Sequence, residues 1–490
     1  MDKQRDMMAA LRFMLFEQQR MDGIELPRGQ LNTEKSKLLT MLNWIASIFV
    51  TEPVGDVVAT AVSAEQGRIT FYIAANRGPS RELDRNNVEI FKQLLRDTID
   101  LDHPKEELIT QLLSVVSPMV YPRLSRKVDL ITGIDETESP GSRVQDRFNQ
   151  VVDRWTKEGN VEDDPTFLSK SQELGLDVNE RLKLVLDRIA LTATTDASAG
   201  GGRPKDDKTR RLRVADFTSD AYALLQSHFF KSFDEHRKYS DDFIWISRLR
   251  RRLWRVSRYA TDLLTVVKFG LPYIRCILGK EGSRTFADGG AGVEIVWVGD
   301  QLILPDNHGR DITMSLSPME FLNKFFDKFE YKAKGKKKRP MIPPEIVADI
   351  GKFWGSEIRP FLHCELQMIL YLQANKIQVQ NNAIGNTKLM CWACNEYVAR
   401  ANKGRGLNAW QLSGTSEKSH CAWLIPSSPL GDAVVRDVMK DLGPFVRQFA
   451  VEFGHHPLSD SGRDSDGFTV ADRKLLSDVL AWAQVPRKPC

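Results

Sequence analysis

His363-Cys364-Glu365 and Cys391-Trp392-Ala393-Cys394 are the residues of this chain whose types and spacing could do chemistry. One imidazole and two thiols make a three-coordinate protein set for zinc. A fourth tetrahedral position then stays open to water, the arrangement of a catalytic rather than a structural site. Zinc held by His363, Cys391 and Cys394 would lower the pKa of that water towards neutrality. Helix N-termini at the two motifs would favour the thiolates. Glu365 follows the histidine by two residues and is not needed as a ligand. Hydrolytic removal of a ring amine needs a group that takes a proton from water and passes it to the ring nitrogen and the departing amine. A carboxylate beside the metal serves both steps.

Two other readings of the same residues stand beside this one. Cys364 or Cys421 as a fourth ligand would close a structural zinc site, although such sites usually show two close pairs of ligands. Alternatively, Cys391 and Cys394 are ordinary buried thiols.

The elements that must position the motifs can be read from periodicity. An extended segment, 358–362, leads into a helical run over 363–373, and a second helix opens at Cys391. Strands are expected at 376–380, 410–413 and 422–425, and helices at 344–354 and 430–453. Alternating α and β elements imply a layered α/β domain. Upstream, residues 35–50 carry apolar positions at helical spacing. The runs 56–64 and 68–74 read as a β-hairpin joined by a short Glu-Gln-Gly turn. Residues 83–190 and 214–278 are mainly helical in pattern, with a Gly-, Ser- and charge-rich linker at 192–211. A second hairpin is expected at 293–298 and 301–304.

The order H-x-E, then C-x-x-C, is that of zinc-dependent base deaminases. The stretch His363 to Gln367, with Ile384-Gly385-Asn386-Thr387-Lys388 before Cys391, resembles a clade of the cytidine deaminase-like superfamily known from bacterial polymorphic toxins and expanded in fungi. Its members look like H-x-E-x-Q, then I-G-x-S-K-x-x-C-x-x-C. A later G-T/S-H-x-K segment with W and P is similar to Gly414-Thr415-Ser416-Glu417-Lys418, Trp423 and Pro426. The resemblance is tight over about residues 357–427. Met390 stands where many deaminases have proline, and Ser416 stands where histidine is expected. The resemblance implies a hydrolytic deaminase using Zn2+, with His363, Cys391 and Cys394 as ligands and Glu365 as proton shuttle. Thr387 and Lys388 would contact substrate.

The implied fold is a deaminase-type three-layer α/β/α sandwich with a mixed central sheet, carrying a large, mainly α-helical insertion or N-terminal region. No hairpin precedes His363 directly, so an upstream one must open the sheet. The 56–74 hairpin is the better patterned, and by resemblance Asn76 at its end would bind the sugar or base edge. The 293–304 hairpin, ending near Asn307, is the alternative. The organisation expected is an N-terminal helix (1–34), a first deaminase segment (35–80), a mainly helical region (81–345), the deaminase core (346–460) and a C-terminal tail (461–490).

Bulk properties bound the partners. A net charge of +4 over 490 residues is no polycation, so nucleic-acid contact must come from local clusters. Arg248, Arg251, Arg255 and Arg258 share one helix face, opposite Leu249, Leu253, Val256 and Ala260, and an arginine stripe suits phosphate contact. Lys336, Lys337, Lys338 and Arg339 form a basic loop that suits a nucleic-acid backbone or a nuclear localisation signal. Both could equally be solvated surface. His455 and His456 read as a surface turn. Six cysteines argue against a disulfide framework. No signal peptide or membrane span is evident, which points to a cytoplasmic or nuclear protein. Three functions fit: deamination of cytosine, ahead of adenine, in nucleic acid; deamination of free nucleosides or nucleotides; and a catalytically silent, zinc-stabilised interaction module.

Overall fold

The computed structural model describes residues 2–21, 37–52, 56–65, 67–99, 240–314, 316–328, 344–354, 357–414, 420 and 422–454, with scattered positions between 108 and 230. The linker at 192–211, the basic loop with Lys336 to Arg339, Ser416, Cys421, the His455–His456 pair and the tail from 461 lie outside these residues. In chain order the principal elements are α1 (Asp2–Met21), α2 (Lys37–Ile48), β1 (Val58–Glu65), β2 (Arg68–Ala75), α3 (Glu82–Ile99), α4 (Ser240–Thr265), α5 (Leu271–Ala287), β3 (Val293–Trp297), β4 (Ile312–Thr313), α6 (Pro318–Lys328), α7 (Pro344–Trp354), β5 (Glu357–Ile358), α8 (Cys364–Ala374), β6 (Ala383–Asn386), α9 (Trp392–Asn402), β7 (Gln411–Leu412) and α10 (Pro429–Gly454). The chain divides into two compact units, one of Met1–Glu34, Ile303–Leu366 and Leu389–Cys490, the other of Lys35–Leu302 and Gln367–Lys388.

The second unit is built on a mixed sheet. β1 and β2 form the expected antiparallel hairpin, from Val58 opposite Ala75 to Glu65 opposite Arg68. β1 also pairs antiparallel with β6, the strand that precedes Cys391, through Ala59–Asn386 and Thr60–Gly385. The hairpin therefore joins that strand through β1, not through β2. On its other side β2 pairs in parallel with β3, from Ile69–Val293 to Ile73–Trp297. The expected 293–304 hairpin is thus corrected. Its first half is a strand added to β2, whereas Val298–Asp300 form a 3-10 turn and 301–304 are not a strand.

Side chains alternate across the two sheet faces. Val58, Val62, Ile69, Phe71, Ile73 and Ala75 join the core built with Leu38, Leu42, Trp44 and Ile45 of α2. On the same face Thr60 Oγ1 donates to Leu42 O at 2.7 Å. Gly385 lets the helix approach, since a Cβ there would lie 2.4 Å from Leu42 C. The other face carries Ala59, Ala61, Tyr72 and Ala74 by this alternation. Here Tyr371 of α8 meets Tyr72 with ring centroids 6.0 Å apart, and Gln367 Nε2 donates to Ala75 O at 2.8 Å. Helix, sheet and helix form three layers. Burial of β2 on both faces follows, and explains why six of its residues from Ile69 to Ala74 are apolar or threonine rather than alternating. Among the described residues, helices α3, α4 and α5 pack into the α2 side of the core and belong to the helical region.

The strand expected at 376–380 is a second correction. Lys376 has φ 54, and its N–H donates to Gln373 O while Ile377 N–H donates to Leu372 O. These residues serve to end α8 in a left-handed cap, so the strand starts seven residues later, at Ala383.

In the first unit, β4 and β5 form a short antiparallel pair. The segment after β5 runs beside 422–424: Phe361 N–H donates to Ala422 O at 2.8 Å and Leu424 N–H to Phe361 O at 2.9 Å. Only this bridge forms where a strand over 422–425 was expected. Helix α1 packs here, with Phe13 6.2 Å from Phe321 of α6. Gln4 grips the 423–425 backbone with both ends of its amide, donating to Trp423 O at 2.8 Å and accepting from Ile425 N–H at 2.9 Å.

Candidate metal centre

Both motifs sit where helices begin. His363 immediately precedes α8, and Glu365 lies in its first turn. Its approach is fixed by Leu362 N–H, which donates to His308 Nδ1 at 3.1 Å, and by the Phe361–Leu424 bridge. Cys391 is the N-cap of α9 in extended backbone, and its sulfur accepts from Cys394 N–H at 3.4 Å. A cysteine at a cap places its sulfur against unpaired helix N–H groups, which favours thiolate. Met390, just before it, donates its N–H to Gly414 O at 3.1 Å.

The structure brings His363, Cys391 and Cys394 together. Their ligand atoms lie within 4.8 Å of one another. His363 Nδ1 is 3.6 Å from Cys391 Sγ and 3.3 Å from Cys394 Sγ. With Nδ1 facing both sulfurs, this nitrogen is the one available to a metal. The three residues are 5%, 7% and 0% exposed, so the donors are pre-assembled in a desolvated place. One nitrogen and two sulfurs converging this way suit Zn2+ with one position left over.

Electrostatics agree. Burial opposes ionisation of both cysteines. At Cys391 the neighbouring Cys394 thiol, the His363 imidazole and the Cys394 N–H overcome it and hold the thiol well below its usual range. At Cys394 burial and the adjacent Cys391 sulfur push the thiol up. Proton loss is thus easier at Cys391 than at Cys394, and any thiol still protonated must release its proton when a metal binds. Glu365 is 3% exposed; burial pushes its carboxyl up, against the pull of His363. The Cys364 thiol lies 3.6 Å from Glu365 Oε2. Cys364 thus turns to the carboxylate and is not among the converging ligand atoms.

A further residue, which no motif in the sequence singles out, stands beside the cluster. The His420 ring is 5.3 Å from the His363 ring, edge to face at 83°. Its one signal is its place between Gly414 and Trp423, in the segment where histidine is expected at 416.

Other candidate residues lie as follows. Thr387 is bonded to β1: its Oγ1 accepts from Val58 N–H at 3.1 Å and its N–H donates to Val58 O at 3.0 Å. Lys388 is exposed. Asn76 N–H donates to Val57 O at 3.0 Å, closing the hairpin beside the Arg77–Asp56 and Arg77–Asp84 ion pairs. In α4, Leu249, Leu253 and Val256 are buried while Arg251 and Arg255 are exposed. Arg258 pairs with Asp262 at 3.1 Å and lies over the Trp254 ring. Arg248 belongs to the same helix.

A buried His/Cys/Cys cluster beside a buried carboxylate, each motif opening a helix, defines a site of deaminase type that could hold a metal. Residues 362–427 match the family model described as OTT_1508_deam-like deaminase. The matched stretch contains both motifs and His420. No curated protein and no solved structure matches the chain. Among the described residues no helix is long and apolar enough to cross a membrane.

Proposed function

We propose that the chain is a zinc-dependent hydrolytic deaminase acting on a nucleobase, with cytosine in nucleic acid as the target. The convergence of His363, Cys391 and Cys394 next to the buried Glu365, inside the segment that matches a deaminase model, carries this reading. The likeness of the two motifs to the clade found in bacterial toxins and fungi supports the substrate class.

Zinc bound at this cluster would supply an acidified water at its open position. The chain's own residues do the rest. His363 presents Nδ1 to the site and keeps the imidazole in one orientation. Glu365 accepts a proton from the water and delivers it to the ring nitrogen next to the amino-bearing carbon. It then takes the proton left on the newly added hydroxyl and passes it to the leaving amine. A carbon–oxygen bond forms, the carbon–nitrogen bond breaks, and ammonia leaves with the carbonyl product. Burial raises the affinity of Glu365 for a proton, which suits a carboxylate that must take one from the water before passing it to substrate. A structural zinc site would have no use for this carboxylate, which argues against the silent module. Asn76, Thr387 and Lys388 are proposed substrate contacts, and the exposed arginines of α4 a phosphate contact.

The test is direct. Purified protein is incubated with single- and double-stranded oligonucleotides and with free nucleosides, and products are read by mass spectrometry. Uracil in the oligonucleotides, absent with Glu365→Gln, is the expected result. Inosine alone would move the target to adenine, and turnover of nucleosides alone would move it to free metabolites. No product from metal-loaded protein would refute the enzyme reading.

A further inference from the structure

We propose that His420 is the platform on which the target base stacks as it reaches the metal centre, a role that rests on the deaminase reading above. The reacting groups are all inside: His363, Glu365, Cys391 and Cys394 are 5%, 3%, 7% and 0% exposed. His420 is exposed, yet its ring touches that of His363 edge to face, 5.3 Å between centroids. It is the titratable ring that joins solvent to the buried cluster among the described residues. A base entering on this side of His363 would meet the ring.

Holding the metal is not its part, since its nitrogens are not among the ligand atoms that converge within 4.8 Å. Gly414 on one side accepts from Met390, next to Cys391, and Ala422 on the other accepts from Phe361, two residues before His363. Gln4 clamps Trp423 and Ile425 beyond. Gly414 and Ala422 are thus tied to the two segments that carry the ligands. Imidazole rings stack on bases as other aromatic side chains do, and stacking accepts any base because each has a π-face. The same contact would serve a base within a strand or a free nucleotide.

Three proteins decide the matter: wild type, His420→Ala and His420→Phe, each as the full chain. Bound zinc per chain should be the same in all three. Stacking binds ground state and transition state alike, so its loss raises KM and spares kcat. For His420→Ala the KM of the deaminated oligonucleotide should rise about tenfold, with kcat within about threefold, and His420→Phe should restore KM. A single-stranded oligonucleotide with 2-aminopurine at the target position gives a readout without turnover. Its fluorescence should be quenched by wild type and His420→Phe, and not by His420→Ala. Unchanged KM and quenching in His420→Ala would overturn the role of His420 while leaving the deaminase intact. Loss of zinc in that variant would overturn it in favour of metal support, and a failure of His420→Phe to restore KM would exclude stacking. Wild type that neither turns over nor quenches any base would remove the deaminase reading, and this proposal with it.

Discussion

Removal of the metal should lower the unfolding temperature of one unit by about 5–11 °C and leave the other where it is. All three donors belong to the unit formed by Met1–Glu34, Ile303–Leu366 and Leu389–Cys490, about 200 residues long. A ligand that binds only the folded state stabilises by about 2.7 kcal/mol when present at a hundred times its dissociation constant. In a domain of this size each kcal/mol is worth about 2–4 °C. Scanning calorimetry of the full chain, with zinc at that excess and then with a chelator, measures the difference. The donors are already gathered around His363 Nδ1, at 3.3 and 3.6 Å, so little ordering of the chain offsets the gain. The shift should shrink in acid, because the Cys394 thiol, held up by burial and by Cys391, must lose its proton to bind. Cys391→Ser and Cys394→Ser should abolish most of it. A thermogram indifferent to zinc, or a Cys391→Ser protein that responds like wild type, would refute the metal centre.

Four further outcomes are expected. In metal-free protein Glu365→Gln should be more stable than wild type at neutral pH. The folded pKa of Glu365 is raised, so the native state holds the proton more tightly than the unfolded chain and stability falls as pH rises through that interval. Urea midpoints at pH 5 and pH 8 should show the gap widening with pH. Gly385→Ala should cost about 3 kcal/mol or more, since its Cβ would meet Leu42 and Asn43 backbone at 2.4 and 2.6 Å; an unchanged urea midpoint would contradict the close approach of α2 to β6. Asn386 is 4% exposed with neither amide atom bonded. Its replacement by leucine should raise stability by about 1–3 kcal/mol, and a loss would reveal a buried water or ligand on that amide. Neutralising Arg251 and Arg255 should flatten the salt dependence of oligonucleotide affinity, the slope falling by about 0.9 for every phosphate no longer neutralised; an identical slope would make α4 an ordinary solvated face.

Much of the candidate site is legible in the sequence because its chemistry is local. H-x-E and C-x-x-C each fit within one helical turn, so residue type and spacing alone place two groups apiece at a helix start. The β1–β2 hairpin is legible for the same reason, being a local run of β-branched and aromatic residues around a glycine turn. Periodicity places the strand before Cys391 too early because Ile377 and Val379 look like a strand. In fact Lys376 adopts φ 54, and Ile377 is used to end α8. Periodicity carries no sign of such a cap.

What the sequence determined by itself is the inventory: one imidazole, two thiols and one carboxylate, each at a helix N-terminus, within a stretch patterned as α/β. What only the tertiary structure decided is which distant residues meet. β1 pairs with β6 across more than 300 residues of intervening chain, β3 adds to β2 in parallel, Gln4 clamps Trp423 and Ile425, and His420 touches His363. Each of these is a non-local pairing whose partners compete with many others of the same type in sequence. Arg258 adds a local case: its spacing suggests a phosphate stripe, and the structure sets Asp262 and Trp254 beside it. The physical reason is common to all. Local propensities depend on a few adjacent dihedrals and side chains, whereas backbone pairing and ring packing are set by burial and hydrogen-bond satisfaction over the whole core.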